Sequence, residues 1–178
     1  MRIAISGAHR TGKTSLAEEL GRCLPGYEVI DEPYYLLADE GYEFEDMPSL
    51  EDFELQLERS IESILGSGAD QIFDRCPADI VAYLLTHPQS DRFDLAGCLP
   101  RVRSAMEHLD LIVFVPIEEP DRMALLEPAD HELRQRVDET IREIVLADRF
   151  DLDQETIEVG GSVRDRARQV LARINELG

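Results

Sequence analysis

The chain has 178 residues, with 38 acidic side chains against 18 basic ones and a formal net charge of −20. That length suits one domain, 1–178, with a sizeable core, and the charge disfavours a nonspecific nucleic-acid surface, which needs Lys and Arg at the phosphates. No run of 18 apolar residues is present to span a membrane, and no secretory leader is expected before the first strand; Cys23, Cys76 and Cys98 lie too far apart for a compact metal-binding motif, and their odd number argues against a complete disulfide framework, as expected of a cytoplasmic protein.

In chain order, Arg2–Ser6 reads as a short buried strand and 13–23 as a helix carrying Leu16, Leu20 and Leu24. Between them Gly7-Ala8-His9-Arg10-Thr11-Gly12-Lys13-Thr14 matches the phosphate-loop pattern G-x-x-x-x-G-K-[ST] in full. Glycines let such a loop turn tightly and approach a ligand without a Cβ in the way. Its N–H groups, through Ser15 at the start of the helix, then cradle the phosphates of ATP. Lys13 is expected to reach the β- and γ-phosphates and Thr14 to ligate Mg²⁺. Lys13 is also the only lysine in the chain.

The elements then alternate. Glu28–Asp31 is a strand, a helix starts after Pro33, and 41–48 is a polar loop. Ser49 and Asp52 form a capping box with Asp in place of Glu, and Leu50, Phe53, Leu57, Ile61, Ile64 and Leu65 make a helical stripe ending near Gly66. That stripe serves a homodimer face as readily as a core. Gln71–Asp74 is a strand, 78–85 a short helix ended near Pro88, 92–108 a helix, and Leu109–Val115 a buried strand. A helix over 133–150, a strand over 156–159 and a helix over 163–177 complete the chain. The alternation predicts an α/β, three-layer fold with a five-stranded parallel sheet and helices on both faces. Ligands in such folds gather at the carboxyl ends of the strands, and 116–136 is a candidate lid.

The residues at those ends carry the chemistry. One carboxylate of Asp31 and Glu32 can accept the proton of an attacking hydroxyl or bind a sugar hydroxyl; otherwise both are helix N-terminal carboxylates. Asp74 closes a hydrophobic strand, where a carboxylate holds Mg²⁺, often through water. Arg75 has the planar fork that grips phosphate, or else forms a structural ion pair with Asp74 or Asp79. His9 could touch phosphate, whereas His87, His108 and His131 read as surface residues.

Taken together, the phosphate loop, Asp31-Glu32-Pro33, Asp74-Arg75 and an arginine-containing segment before a long helix resemble the small-molecule P-loop kinases, among them thymidylate, deoxynucleoside and ribosylnicotinamide kinases. The run from Asp74 to Tyr83 is similar to the D-R-x-P-x-D-x-x-A-Y stretch of AAA-type small ATPase and kinase domains. The resemblance implies a P-loop NTPase fold and assigns Glu32 as base, Arg75 to the substrate phosphate or the transferred phosphoryl, and Arg10 to the γ-phosphate. It also implies that lid arginines, Arg122 first and Arg134 next, close over ATP, and that Gly160 and Gly161 lie beside adenine. Against it, Arg122 sits among acidic neighbours, Arg134 and Arg136 cannot share one helix face, and Ser162 reads equally as a helix cap.

Other classes fit less well. A GTPase would need N-K-x-D, which is missing, and an AAA+ motor would need a further helical domain. The sequence therefore points to an ATP- and Mg²⁺-dependent phosphotransferase acting on a small molecule, a nucleoside or nucleoside monophosphate. A noncatalytic nucleotide-binding module or simple ATPase is the alternative.

Overall fold

The structure is a computed structural model that describes residues 1–45, 47–118 and 128–178. Five parallel strands form one sheet: β1 (Arg2–Ser6), β2 (Glu28–Ile30), β3 (Gln71–Asp74), β4 (Leu111–Phe114) and β5 (Thr156–Glu158), in the spatial order β2-β3-β1-β4-β5. Seven helices are described: α1 (Lys13–Cys23), α2 (Pro33–Asp39), α3 (Leu50–Leu65), α4 (Pro77–Thr86), α5 (Leu95–Met106), α6 (Pro128–Val145) and α7 (Val163–Leu177). The predicted α/β architecture is the observed one.

Period-2 alternation in β1 decides the layers. Ile3 and Ile5 face α1 and α7 with Leu16, Leu20, Ala167 and Val170. Ala4 faces the opposite layer, where Phe73, Ile112 and Phe114 meet Leu57, Ile61, Val81 and Ile141. Ile3 pairs with Ile72 on one side and Leu111 on the other. The chain thus builds β2 and β3 on one side of β1, then β4 and β5 on the other, and the carboxyl-end crevice opens beside β1.

Several boundaries differ from the sequence pattern, each for a local reason. The 92–108 helix divides into a 3₁₀ turn (Ser90–Arg92) and α5, because the Asp94 carboxylate accepts the Gly97 N–H at 3.0 Å and starts a new helix. The helix expected over 133–150 runs from Pro128 to Val145; a proline suits a first helical position. It stops early because Asp148 turns left-handed (φ 49°) and its carboxylate takes the Leu152 N–H at 2.6 Å. Phe150 still reaches the core, from a turn rather than a helix. β4 begins at Leu111 because the Asp110 carboxylate accepts the Arg2 N–H at 2.7 Å. The α3 stripe is a core face, with Leu50, Leu57, Ile61 and Ile64 all buried and Leu65 exposed. Among the described residues no helix is long and apolar enough to cross a membrane.

Candidate active site

The loop after β1 is shaped by two demands that only glycine meets. A Cβ on Gly7 (φ 151°) would lie 2.4 Å from the Val115 carbonyl oxygen, and Gly12 caps α1 at φ 91°. The Lys13 side chain is 5 % exposed and donates to the loop's own Ala8 carbonyl at 2.6 Å. Burial first, and then the Arg75 charge, lower its pKa to about 8. At the first turn of α1 the N–H groups lack intrahelical acceptors, so loop and helix together present donors at one end of the sheet.

Asp74 and Thr14 meet beside that loop. The Thr14 hydroxyl donates to Asp74 Oδ2 at 2.6 Å, while Asp74 Oδ1 is buried with no hydrogen-bond partner. Burial raises the Asp74 pKa. A hydroxyl next to a buried carboxylate oxygen that lacks a partner is the donor set a hard cation takes, so these residues fit a Mg²⁺ ion.

Arg75 comes next, in the left-handed region (φ 83°), a conformation that costs a non-glycine residue about 1–3 kcal/mol. It is over-determined by its contacts. Its N–H donates to the Ile5 carbonyl at 3.0 Å, its Nε donates to Glu32 Oε2, and its guanidinium lies 3.8 Å from Asp79 and 5.3 Å from the Tyr83 ring centroid. Glu32 is itself held in place as the residue before Pro33, at the N-terminus of α2. Asp31 beside it is exposed and makes no hydrogen bond among the described residues.

Glu32 and Arg75 open, with His9, onto a pocket of about 620 Å³ whose walls include Phe53, Tyr83, Ile80 and Gln56. The Phe53 and Tyr83 rings are stacked at 5.2 Å. The side chains that follow β1, β2 and β3 thus meet at this one crevice.

A model of a family described as an AAA domain matches residues 2–166, nearly the whole chain. The chain belongs to this AAA-domain family. No curated protein matches it. Among solved structures, this AAA-domain chain shares its fold with the P-loop small-molecule kinases. A deoxyadenosine kinase from M. mycoides, solved with dCMP and dCDP, aligns over 100 % of both chains at 15 % identity and a TM-score of 0.67. The thymidylate kinase of Candida albicans aligns over 98 % of this chain and 91 % of its own at 16 % identity and 0.64. NadR in complex with NR aligns over 99 % of this chain at 17 % identity and 0.67, the AAA-domain chain spanning 50 % of NadR.

The remaining sequence candidates fall in different places in the AAA-domain structure. Arg10 is exposed at the loop crest with φ 58°. Arg134 is 2 % exposed and donates to the carbonyls of His9 (2.9 Å) and Arg10 (3.4 Å), tying α6 to the loop. Arg136, two residues on, points to the pocket and donates to the Thr86 carbonyl at 3.1 Å. The two arginines thus separate as helix geometry requires. Arg122, with the rest of residues 119–127 of the candidate lid, lies outside the described residues. Gly160 and Gly161 follow β5; the Gly161 N–H donates to Glu118 at 2.6 Å. Ser162 caps α7 in a box with Asp165.

Three residues that position the loop were not singled out as functional by the sequence. Asp79, wholly buried, accepts the Gly7 N–H at 2.8 Å and the Cys76 N–H at 3.1 Å. Tyr83, one helical turn on, accepts the His9 N–H at 2.9 Å. Arg166 donates to the Thr11 carbonyl at 2.7 Å and pairs with Glu118 at 2.9 Å. The available signals were the i, i+4 spacing of Asp79 and Tyr83, and a charge next to Ala167 on the buried face of α7.

Proposed function

We propose that the protein is a Mg²⁺- and ATP-dependent phosphotransferase that phosphorylates a small hydroxylated acceptor, a nucleoside or nucleoside monophosphate. The observation that carries this reading is the pairing of Glu32 with Arg75 beside the phosphate loop, at the mouth of a pocket walled by stacked aromatic rings. ATP phosphates would lie along Gly7–Ser15, with Lys13 turning from the Ala8 carbonyl to them. Thr14 and Asp74 would hold Mg²⁺, which neutralises charge on the β- and γ-phosphate oxygens. Glu32 accepts the proton of the attacking hydroxyl. Arg75, and on the resemblance Arg10, Arg122 and Arg134, stabilise the charge that develops on the transferred phosphoryl. Adenine would sit near Gly160 and Gly161.

Arg75 is already balanced by Glu32 and Asp79, which favours a neutral hydroxyl acceptor over one that brings its own phosphate. Three free cysteines suit a reducing, cytoplasmic setting. The test is ADP release from ATP·Mg²⁺ with and without pools of nucleosides, nucleoside monophosphates and small hydroxylated metabolites. Acceptor-dependent release that falls about 100- to 10 000-fold in Glu32→Ala supports the reading. Tight ATP binding with no acceptor-dependent release overturns it in favour of a nucleotide-sensing module or simple ATPase.

A further inference from the structure

His9 stands in the phosphate loop with its ring against the Tyr83 phenol. It lines the pocket that holds Glu32 and Arg75. The ring lies among four cationic groups, and burial together with Arg75, Arg134, Lys13 and Arg10 lowers its pKa to about 4. The imidazole is therefore uncharged at neutral pH, and its value to a ligand depends on which nitrogen carries the proton.

Tyr83 decides that. Its phenol, kept protonated by burial, has one proton and an oxygen that accepts the His9 backbone N–H at 2.9 Å. The Arg75 guanidinium also neighbours the phenol but can only donate to it, so the acceptor within reach is His9 Nδ1, at 3.0 Å. If Nδ1 carried the ring proton, the phenolic O–H would have no acceptor among the described residues. A buried hydroxyl without an acceptor is costly. With the proton on Nε2, the phenol donates to Nδ1 and both bonds are made. Nε2, the remaining polar atom of the ring, has no partner among the described residues.

We propose that Tyr83 fixes His9 in the Nε2–H tautomer, so that this loop histidine is an uncharged hydrogen-bond donor to an oxygen of the acceptor substrate. His9 is then a specificity-determining residue and Tyr83 a positioning residue for it. The proposal deepens the kinase reading and rests on it for the identity of the ligand. It also gives a reason for the tyrosine at the end of the Asp74–Tyr83 stretch: Asp79 and Tyr83 share one face of α4, and the first holds Gly7 while the second holds His9 by backbone and ring.

The tautomer is read directly from ¹⁵N–¹H long-range correlations of the histidine rings, with His9→Gln identifying the His9 signals. The expected result is a single Nε2–H pattern for His9 that does not titrate between pH 6 and 8, and that becomes a tautomer mixture in Tyr83→Phe. An Nδ1–H pattern, or no change in Tyr83→Phe, overturns the lock. This measurement needs no turnover, so it can fail while the kinase reading stands, or hold while that reading fails. The ligand is tested with deoxyadenosine, thymidylate and nicotinamide riboside as acceptor probes. His9→Leu is expected to raise the KM of whichever probe is phosphorylated about tenfold with the ATP KM within about twofold, and His9→Gln, which keeps an N–H at that depth, to recover most of the loss. A rise confined to the ATP KM, or phosphorylation of none of the probes with no effect of the probes on the Nε2 signal, overturns the acceptor role.

Discussion

Asp79→Asn gives the most direct test of how the loop is held. The carboxylate is wholly buried and satisfies the N–H groups of Gly7 (2.8 Å) and Cys76 (3.1 Å) and the Cys76 thiol (3.3 Å), with the Arg75 guanidinium 3.8 Å away. Asparagine keeps one acceptor oxygen and sets an NH₂ group against a donor. One backbone N–H is then left without an acceptor in the interior, at a cost of about 1–3 kcal/mol. The charge facing Arg75 is lost as well; removing one partner of a buried pair costs about 3–5 kcal/mol, reduced here because Glu32 still holds the arginine. The expected loss is therefore about 3–4 kcal/mol, a large part of the roughly 5–15 kcal/mol by which domains are stable. With a urea slope of about 2 kcal/mol per molar, the unfolding midpoint should fall by about 1.5–2 M with the slope unchanged. A fall below about 0.5 M would refute the view that Asp79 anchors Gly7.

Lys13 gives a prediction with a definite sign in pH. Its folded pKa, about 8, lies below its ordinary 10.5, so the unfolded chain binds more protons between those values, and this group makes stability rise with pH across pH 8 to 10.5. Below pH 8 the buried charge costs on the order of 3 kcal/mol. Lys13→Met should therefore be more stable than the parent at pH 7 in chemical denaturation, with the gap closing by pH 10.5; Thr11 still donates to the Ala8 carbonyl at 3.0 Å. An equal gap at both pH values would refute the burial argument. Gly7→Ala places a Cβ 2.4 Å from the Val115 carbonyl and must move the loop; a loss of ATP affinity of more than about tenfold in calorimetry is expected, whereas Gly68→Ala, which meets nothing within 4 Å and has no left-handed φ, should leave it unchanged.

How much of this was legible in advance follows from the range of each interaction. The loop Gly7–Thr14, β1, β3 and the Ser49 capping box are specified by neighbours within a few residues, and the structure forms each where the pattern sets it. Element boundaries failed where a single carboxylate decided them, as Asp94, Asp110 and Asp148 did. Hydrophobic periodicity registers the face a residue occupies but carries no record of a side chain that captures a backbone N–H.

The sequence by itself determined the phosphate loop, the alternation that makes a parallel sheet, and the acidic, lysine-poor composition that leaves Lys13 as the only lysine. Tertiary structure alone decided what surrounds that loop. Asp79 and Tyr83 reach it from α4, Arg134 from α6 and Arg166 from α7, across separations of 72 to 155 positions in the chain. Glu32 and Arg75, 43 positions apart, meet because β2 and β3 are adjacent parallel strands whose carboxyl ends lie side by side. Such contacts depend on strand order and helix docking, which emerge only when the two faces of the sheet bury their side chains together.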